Sequence, residues 1–286
     1  MSNTTIKIGT ADKVRQLTTE KTATVATTKS NTQTESTPTD TLNIFDVPIH
    51  KDTMQQAVQW IIAKASKKQK VVAQFVNADC LNKAYKNDRY RRILQRAQHV
   101  FADGSGIKLA CKIMHCESSE NVNGTDLFPA LCEKSQAYGI RIFLLGARPN
   151  IAKKVKTNME RKYPGVRIVG VHNGYFDDDQ TDQVIAQINQ SKADVLLVAM
   201  GAPLQEIWID EHRKKITVPV CIGVGGLFDF YSGRISRAPK WLRSLGCEWI
   251  WRLLQEPSRM WKRYLVGNFI FVFRVVKQAY WGVRHA

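Results

Sequence analysis

Residues 141–171 read RIFLLGARPNIAKKVKTNMERKYPGVRIVGV, and this stretch decides the fold class. Residues 141–145 are a short apolar run typical of a buried strand, and residues 166–171 are another. Between them, residues 150–163 carry apolar side chains at helical spacing and end at a Pro-Gly pair. Two buried strands joined by a helix predict a parallel pair, because a parallel connection has to cross over the sheet.

The same alternation continues on both sides of this unit. Strand-like apolar runs and amphipathic segments follow one another from residue 42 to residue 223. They predict an α/β fold with a mainly parallel sheet that helices cover on both faces. Further strands are predicted at 44–49, 71–76, 100–101, 194–199 and 218–223, and further helices at 54–62, 78–85, 107–114, 178–190 and 204–215.

Composition divides the chain into three regions. Residues 1–41 hold 14 Thr and 3 Ser and few large apolar side chains, so they are predicted to be a disordered tail, with a recruitment segment as the alternative. Residues 42–236 are the predicted α/β core. Residues 237–286 lack strand alternation and are predicted to form a helical appendage. Its short helices are expected to break at Pro239, Gly246, Pro257 and Gly267.

The charge is strongly basic and unevenly placed. Lys and Arg number 42 against 25 Asp and Glu, a net charge of +17. Residues 234–286 alone hold 11 Lys and Arg, 2 Asp and Glu, and five of the seven Trp. Such a segment points to an anionic partner, which is a nucleic acid, a phosphorylated ligand or a membrane surface.

Targeting and cysteine patterns bear on the compartment. Residues 1–42 lack the apolar stretch of a secretory signal, and no run of 18 apolar residues predicts a transmembrane helix. The six Cys include no CxxC pair and are expected to be reduced thiols. These patterns predict a cytoplasmic protein.

Three turns that follow predicted strands are rich in glycine, at residues 103–106, 146–147 and 223–226. Turns after parallel strands meet at one edge of the sheet, where backbone amides can bind phosphate oxygens. Each turn alone is equally consistent with a tight turn without a ligand, but three together favour a nucleotide or a nucleotide sugar. None matches GxGxxG or GxxxxGK[ST], which argues against dinucleotide and P-loop sites.

Polar residues beside these turns are candidates for chemistry. Asp103 directly precedes the first glycine pair, where a carboxylate could act as a general base or simply cap the next helix. Gln205 and Glu206 fall in the first turn of a predicted helix and are expected to project near the ligand edge, the alternative being polar residues on a helix surface. The run 177–179 is Asp-Asp-Asp, which reads better as an acidic helix start than as a D-x-D metal site. The six His are scattered singly, so no metal is predicted.

Cations in the C-terminal segment alternate with aromatic residues. Arg252, Arg259, Lys262 and Arg263 lie among three Trp and one Tyr. Such a mixture suits a diphosphate or an anionic headgroup at a membrane interface. Stacking on nucleic acid is the alternative, but no RNP, KH or helix-turn-helix pattern supports it. Arg274, farther along, is expected to contact the membrane.

A set of short motifs occurs in a characteristic order. They are Asn77-Ala78-Asp79, Ala102-Asp103-Gly104-Ser105-Gly106-Ile107, Gly124-Thr125-Asp126-Leu127, Phe143-Leu144-Leu145-Gly146-Ala147, Tyr163-Pro164-Gly165, Gly174-Tyr175-Phe176, Met200-Gly201-Ala202-Pro203-Leu204-Gln205-Glu206, Gly223-Val224-Gly225-Gly226-Leu227-Phe228-Asp229, Arg237-Ala238-Pro239 and Arg252-Leu253-Leu254-Gln255-Glu256-Pro257. From about residue 42 to the C-terminus, the chain resembles the WecG/TagA/CpsF glycosyltransferases, glycosyltransferase family 26.

The resemblance implies a Rossmann-like core and an inverting transfer that needs no metal or other cofactor. The donor would be a UDP-sugar, carrying N-acetylmannosamine, its uronic acid or glucose. The acceptor would be a polyprenyl-diphosphate-linked saccharide of bacterial cell-envelope or exopolysaccharide synthesis. The enzyme would sit peripherally on the cytoplasmic face of the membrane, with the appendage touching the lipid and completing the site. The resemblance does not decide whether the enzyme forms a homo-oligomer. No nucleic-acid partner is expected.

The resemblance also assigns roles to residues. Asp103 would be the catalytic base. Nucleotide-sugar contacts are expected from Asn77, Gly104, Ser105, Gly106, Asn123, Gly146, Gly201, Gln205, Glu206, Gly225, Gly226 and Asp229. Contacts to the acceptor diphosphate or the membrane are expected from Arg237, Arg252, Arg259, Lys262 and Arg263.

Two departures from the family pattern bear on the donor. This chain has Phe75-Val76 where relatives often have Thr-Pro, so a hydroxyl near the donor is missing. It has Asn121 where relatives often have Arg, so a cationic contact is lost or supplied elsewhere. The rival to the enzyme is a non-catalytic basic α/β module that binds a membrane or nucleic acid. A nucleotide-sugar epimerase is disfavoured because GxGxxG and a YxxxK pair are absent.

Overall fold

A computed structural model describes residues 41–117 and 120–281. The tail predicted at 1–41 therefore lies outside the described residues, except for Thr41. That residue begins the first strand, and the domain boundaries stay predictions.

The described residues build one eight-stranded sheet in the order β1-β2-β4-β3-β8-β7-β5-β6. Every pairing is parallel except that of β1 with β2, which is antiparallel. The predicted mainly parallel α/β sheet is thus confirmed. The strands are β1 Thr41–Ile44, β2 Val47–His50, β3 Val71–Val76, β4 His99–Ala102, β5 Arg141–Gly146, β6 Arg167–His172, β7 Val195–Ala199 and β8 Val220–Gly223.

Helices cover both faces, as predicted. Side chains of α1, α5, α6 and α9 pack on one face, and those of α2, α3, α4, α7, α8 and α13 pack on the other. The helices are α1 Met54–Ser66, α2 Ala78–Lys86, α3 Asp88–Arg96, α4 Ser105–Ile113, α5 Gly124–Ala137, α6 Ile151–Lys162, α7 Thr181–Gln190, α8 Leu204–His212, α9 Leu227–Tyr231, α10 Lys240–Ser244, α11 Glu248–Gln255, α12 Pro257–Trp261 and α13 Gly267–Trp281.

The strand predicted at 44–49 is wrong, because a tight hairpin interrupts it. Phe45 and Asp46 adopt φ angles of 53° and 60°, and β1 and β2 pair across this turn. Two successive positive φ angles are typical of the two-residue turns that reverse a strand. The aromatic side chain of Phe45 is buried, so its packing holds the turn in a sequence that shows no Asn or Gly there.

The helix break predicted at Gly267 is also wrong. A π-helical turn, Lys262–Val266, joins α12 to α13, so the chain is helical from Pro257 to Trp281. Helix α13 packs on α2 and α4, where it buries Phe271 and Val275.

Polar contacts fix α13 along its length. Asn82 Nδ2 donates to the Gly267 carbonyl at 2.7 Å, and Arg274 Nη1 donates to Asn82 Oδ1 at 2.8 Å. Gln278 Oε1 accepts from the Phe45 amide at 3.0 Å. Arg274 also lies 4.2 Å from the ring centroid of Tyr85, so its guanidinium serves as an anchor to the core. Among the described helices, none is both long and apolar enough to span a membrane.

Candidate active site

Asp103 lies directly after β4, at the edge of the sheet where the parallel strands end. The helix after it begins at Ser105 with Gly104 at the N-cap position, and no side chain caps that helix. The alternative in which Asp103 is a helix cap is therefore wrong. Its carboxylate instead accepts a long hydrogen bond of 3.4 Å from Asn77 Nδ2. Asn77 caps α2 with its other amide atom, which accepts from the Asp79 and Cys80 amides.

The surroundings of Asp103 make its carboxyl group a weaker acid than usual. Burial raises its pKa to about 6, and the hydrogen bond from Asn77 and the positive charge of Arg263 oppose this rise. The negative charges of Glu248 and Asp126 add to it. A carboxylate with a pKa near 6 is ionised at neutral pH, yet it holds a proton better than an exposed Asp does. This is the protonation behaviour that a general base needs.

The loop around Asp103 is held from two sides. The Gly104 amide donates to Asn121 Oδ1 at 2.6 Å, and Ser105 Oγ donates to the Gly246 carbonyl in the C-terminal segment at 2.9 Å. Gly106 packs where a β-carbon would come within 3.1 Å of Ala78 Cβ, so glycine permits the close approach of α4 and α2. Asn121 thus has a structural role at the position where relatives often carry Arg.

Gln205 joins the turns that follow β7 and β8. Its Oε1 accepts from the Gly201 amide at 3.1 Å and from the Gly225 amide at 2.9 Å. Its Nε2 donates to Glu206 Oε1 at 2.9 Å. Both side chains are buried, so the alternative of polar residues on a helix surface is wrong, and the expected projection of these side chains is not seen. They lie beneath the ligand edge and fix its turns.

Glu206 is an unusual buried acid. Burial raises its pKa to about 7, and the hydrogen bond from Gln205 opposes this rise. Its Oε2 has no hydrogen-bond partner among the described residues. The neutral form of Glu206 is therefore favoured up to about pH 7.

Arg252 brings a cation from α11 to the turn after β8. Its side chain is buried, and a β-carbon on Gly226 would lie 3.2 Å from Nη2. Its Nε donates to Glu256 Oε2 at 3.1 Å, and its guanidinium lies 4.7 Å from the ring centroid of Phe230. The C-terminal segment and a glycine turn of the core therefore meet here.

The other predicted cations fall into two groups. Arg263 points toward the core, where its Nε lies 3.5 Å from Asp79 Oδ2. Arg259 forms an exposed pair with Glu256 at 3.3 Å, and Lys262 is exposed beside Trp261.

Several predicted ligand residues are engaged within the protein. Asp229 pairs with Arg234 at 2.8 Å. Asn123 caps α5 and donates to Asp126 Oδ2, while Arg237 Nη1 donates to Asp126 Oδ1 at 2.6 Å. Their proposed contacts to substrate stay predictions.

Gly146 lies apart from Asp103. Three strands, β3, β8 and β7, lie between β4 and β5, and β5 ends at Gly146. At the usual strand spacing, the distance between β4 and β5 is roughly 19 Å. A cavity of about 660 Å³ lies beyond Gly146, beside β6 and α7, and none of the predicted site residues lines it.

Asp177 precedes a short 3₁₀ turn, Asp178–Gln180, that leads into α7, in agreement with an acidic helix start. Within 41–117 and 120–281, no group of three or more His, Cys, Asp and Glu could hold a metal.

Sequence reasoning missed several groups around Asp103. The sequence did not predict that the charges of Asp126 and Glu248 act on Asp103. It also assigned no role to Asp79, which pairs with Arg263, or to Lys83, which pairs with Asp79. Asp79 belongs to the quoted Asn77-Ala78-Asp79 motif, which was the available signal. Glu248 offered none, since it lies 145 residues away in the chain.

Comparisons with known proteins identify the family. The model of the glycosyl transferase WecG/TagA/CpsF family matches residues 42–285. The chain is similar to an N-acetylglucosaminyldiphosphoundecaprenol N-acetyl-beta-D-mannosaminyltransferase of Bacillus spizizenii, strain ATCC 23059 / NRRL B-14472 / W23. The two are 34% identical over 182 residues, which cover 64% of this chain and 70% of the relative.

Proposed function

This chain belongs to the WecG/TagA/CpsF family of glycosyl transferases, and from that premise we propose that it transfers N-acetylmannosamine from UDP to a polyprenyl-diphosphate-linked N-acetylglucosamine. The sugar and the acceptor follow the named reaction of the Bacillus relative. The uronic acid of N-acetylmannosamine and glucose are the alternative donors. The reaction is proposed to invert the anomeric centre and to need no metal, and its product would serve cell-envelope polysaccharide synthesis.

The observation that carries the proposal is the position of Asp103. A carboxylate with a pKa of about 6 lies at the ligand edge of the sheet, with a cation from the C-terminal segment nearby. In the proposed step, Asp103 takes the proton of the acceptor hydroxyl while that oxygen attacks the anomeric carbon. The bond to UDP breaks on the opposite side, so one displacement inverts the configuration. General base catalysis of this kind contributes about 10²- to 10⁴-fold in rate.

The departing UDP carries negative charge that has to be stabilised. Arg252, against the glycine turn after β8, and Arg263 are proposed to supply this stabilisation. Fixed cations in a water-poor site stabilise developing charge strongly because they need no reorganisation during the reaction. This arrangement replaces the divalent ion that other nucleotide-sugar enzymes use.

The acceptor carries a lipid, so the proposal includes peripheral binding to the cytoplasmic face of the membrane. Large apolar side chains are exposed across the C-terminal segment, and this set of side chains is termed here the apolar face. It consists of Trp241, Leu245, Leu254, Trp261, Leu265, Val266, Phe269, Phe273, Tyr280 and Trp281. Exposed Arg259 and Lys262 lie among them, a combination that suits a lipid surface with anionic headgroups.

The test is a transfer assay on the purified full chain. UDP-N-acetylmannosamine, its uronic acid and UDP-glucose are each offered with prenyl-diphosphate N-acetylglucosamine and with prenyl-diphosphate glucose. Mass spectrometry identifies the product, and NMR assigns its anomeric configuration. We expect one donor to give an inverted disaccharide on the N-acetylglucosamine acceptor. A product that retains configuration contradicts the single displacement, and no UDP release with any pair supports the non-catalytic binding module.

A further inference from the structure

We propose that Asp79 is a positioning residue for the transfer reaction and holds Arg263 of the C-terminal segment beside the base Asp103. The inference rests on the proposed function, since it assumes that Asp103 takes the acceptor proton. It assigns a role to a residue on α2 that neither binds substrate nor reacts.

Contacts connect Asp79 to the base on one side and to the C-terminal segment on the other. The Asp79 amide donates to Asn77 Oδ1 at 3.1 Å, and Asn77 Nδ2 donates to Asp103 Oδ2. On the other side, Asp79 Oδ2 lies 3.5 Å from Arg263 Nε. The first turn of α2 therefore touches both the base and the cation.

Arg263 needs a partner to keep this position. About two thirds of its side chain is shielded from solvent. Its Nε is buried and makes no hydrogen bond among the described residues, and Asp79 Oδ2 lies 3.5 Å from it as an ion-pair partner. A guanidinium at this depth is unfavourable unless a negative charge lies close to it, and a long side chain loses considerable freedom when it is fixed. Asp79 supplies that charge. The Tyr264 ring, 5.5 Å from the guanidinium, supplies further support.

Lys83 also pairs with Asp79, but its position does not depend on Asp79 alone. Its Nζ lies 2.9 Å from Asp79 Oδ2 and also donates to the Ala202 carbonyl at 2.8 Å. Lys83 therefore keeps a second partner without Asp79, whereas Asp79 is the acidic residue that pairs with Arg263 among the described contacts. Lys83 is the matched control.

Three elements contribute ionisable groups that interact with Asp103. Helix α5 contributes Asp126, α11 contributes Glu248, and the π-helical turn contributes Arg263 and Tyr264. Helix α2 contributes Asp79, which pairs with Arg263 and Lys83, and the buried thiol of Cys80, whose pKa burial raises to about 11. The charge of Arg263 lowers the pKa of Asp103, in opposition to burial.

Two opposite effects on Asp103 follow from loss of the Asp79 charge. Removal of a nearby negative charge by itself lowers the pKa of Asp103. Release of Arg263 raises it, because the favourable cation is lost. A rise in the pKa of Asp103 after substitution of Asp79 thus identifies the positioning role. Loss of the negative charge of Asp79 alone would lower that pKa.

The experiment measures the pH dependence of kcat/KM for Asp79→Asn, Arg263→Gln, the double variant and Lys83→Met. In the wild type we expect kcat/KM to fall below about pH 6 as Asp103 becomes protonated. We expect this acid limb to move up by about 0.5 to 1 pH unit in both single variants. The double variant should show no further rise over Arg263→Gln, and Lys83→Met should leave the limb in place. Asp79→Glu should restore part of the original profile. If Asp79→Asn does not fold, Asp79→Ser, which suits a first helical turn, takes its place.

Three outcomes overturn the inference. One is an acid limb in Asp79→Asn at the wild-type pH or below it. Another is a double variant whose shift is the sum of the two single shifts. The third is a shift in Lys83→Met equal to that in Asp79→Asn. Failure of the proposed function has a different signature, since the wild type would then release no UDP or Asp103→Asn would keep the wild-type activity.

Discussion

The guanidinium of Arg252 lies against the backbone of Gly226, so close that a β-carbon on Gly226 would come within 3.2 Å of Nη2. One residue belongs to the C-terminal segment and the other to the turn after β8. The segment thus reaches the ligand edge of the sheet in addition to presenting an apolar face. Its proposed contribution to transfer can be tested separately from its proposed contribution to membrane binding.

Arg252→Gln should lower transfer by roughly 10²-fold and leave vesicle binding nearly unchanged, because its guanidinium is buried against the turn after β8. Turnover on a short, water-soluble acceptor and co-sedimentation with anionic vesicles measure the two properties. Arg259→Gln is the control, since Arg259 shares Glu256 but is mostly exposed. Equal losses of turnover in the two variants would contradict a specific role for Arg252.

Asp103→Asn should lower transfer by about 10²- to 10⁴-fold and keep UDP binding, because the amide fills the same space but takes no proton. In the wild type, kcat/KM should fall below about pH 6 as Asp103 becomes protonated. Isothermal titration with UDP and pH–rate profiles check the two parts. Near-normal turnover of a folded Asp103→Asn protein would exclude Asp103 as the base.

Glu206→Gln should make the protein more stable than the wild type at pH 8 but not at pH 4. Burial raises the folded-state pKa of Glu206 from 4.5 to about 7, so its favourable contribution is complete below pH 4.5 and is lost as the pH rises through 7. The loss amounts to roughly 3 kcal/mol, since each pKa unit corresponds to about 1.4 kcal/mol. The glutamine oxygen can still accept from Gln205 Nε2. Urea unfolding at both pH values tests this, and a difference that is constant with pH would argue against a titrating Glu206.

Replacement of Phe269 and Phe273 together by Ser should weaken vesicle binding at least about tenfold. Both rings are more than two thirds exposed, and burial of one Phe contributes about 1.5 to 3 kcal/mol. This part of the binding should survive high salt because it is apolar. Tyr138→Ser, an exposed aromatic residue after α5, is the control. Unchanged co-sedimentation of the double variant would show that the apolar face does not enter the lipid.

Transfer should persist in EDTA at its full rate. The acids at 177–179 open a helical turn beside β6, far along the sheet from Asp103. In the proposed function, Arg252 and Arg263 stabilise the leaving diphosphate in place of a metal ion. Initial rates are compared with and without added Mg²⁺ or Mn²⁺ after dialysis. Activity that disappears in EDTA and returns with either ion would contradict the metal-independent step.

The sheet could be predicted from the sequence because its strands are short apolar runs between amphipathic helices, a local pattern. Asp103 could be placed at the ligand edge for the same reason, since it directly follows such a run. The hairpin at Phe45 could not be predicted, because Phe followed by Asp is not a residue pair that usually indicates two successive positive φ angles. Tertiary packing of the Phe45 ring decides that turn.

Long-range contacts explain the remaining differences. Arg274 was expected at the membrane, but it binds Asn82 and the Tyr85 ring, 192 and 189 residues away in the chain. Gln205 was expected to project, yet its amide closes two turns brought together only by the folded sheet. Asp79 and Arg263 pair for the same reason. A pattern of residue types predicts elements, whereas these partners are chosen by the way the elements pack.

The π-helical turn at Lys262–Val266 inserts one extra residue into the continuous helix from Pro257 to Trp281. A turn closed from residue i to i+5 accommodates one residue more than an α-helical turn does. Loss of one residue there would convert it to an ordinary turn and leave Phe271 and Val275 facing the core. The same deletion inside α13 would rotate the following residues by about 100° and turn the apolar face away from its present direction. Single-residue length variation among homologous chains should therefore concentrate at this turn.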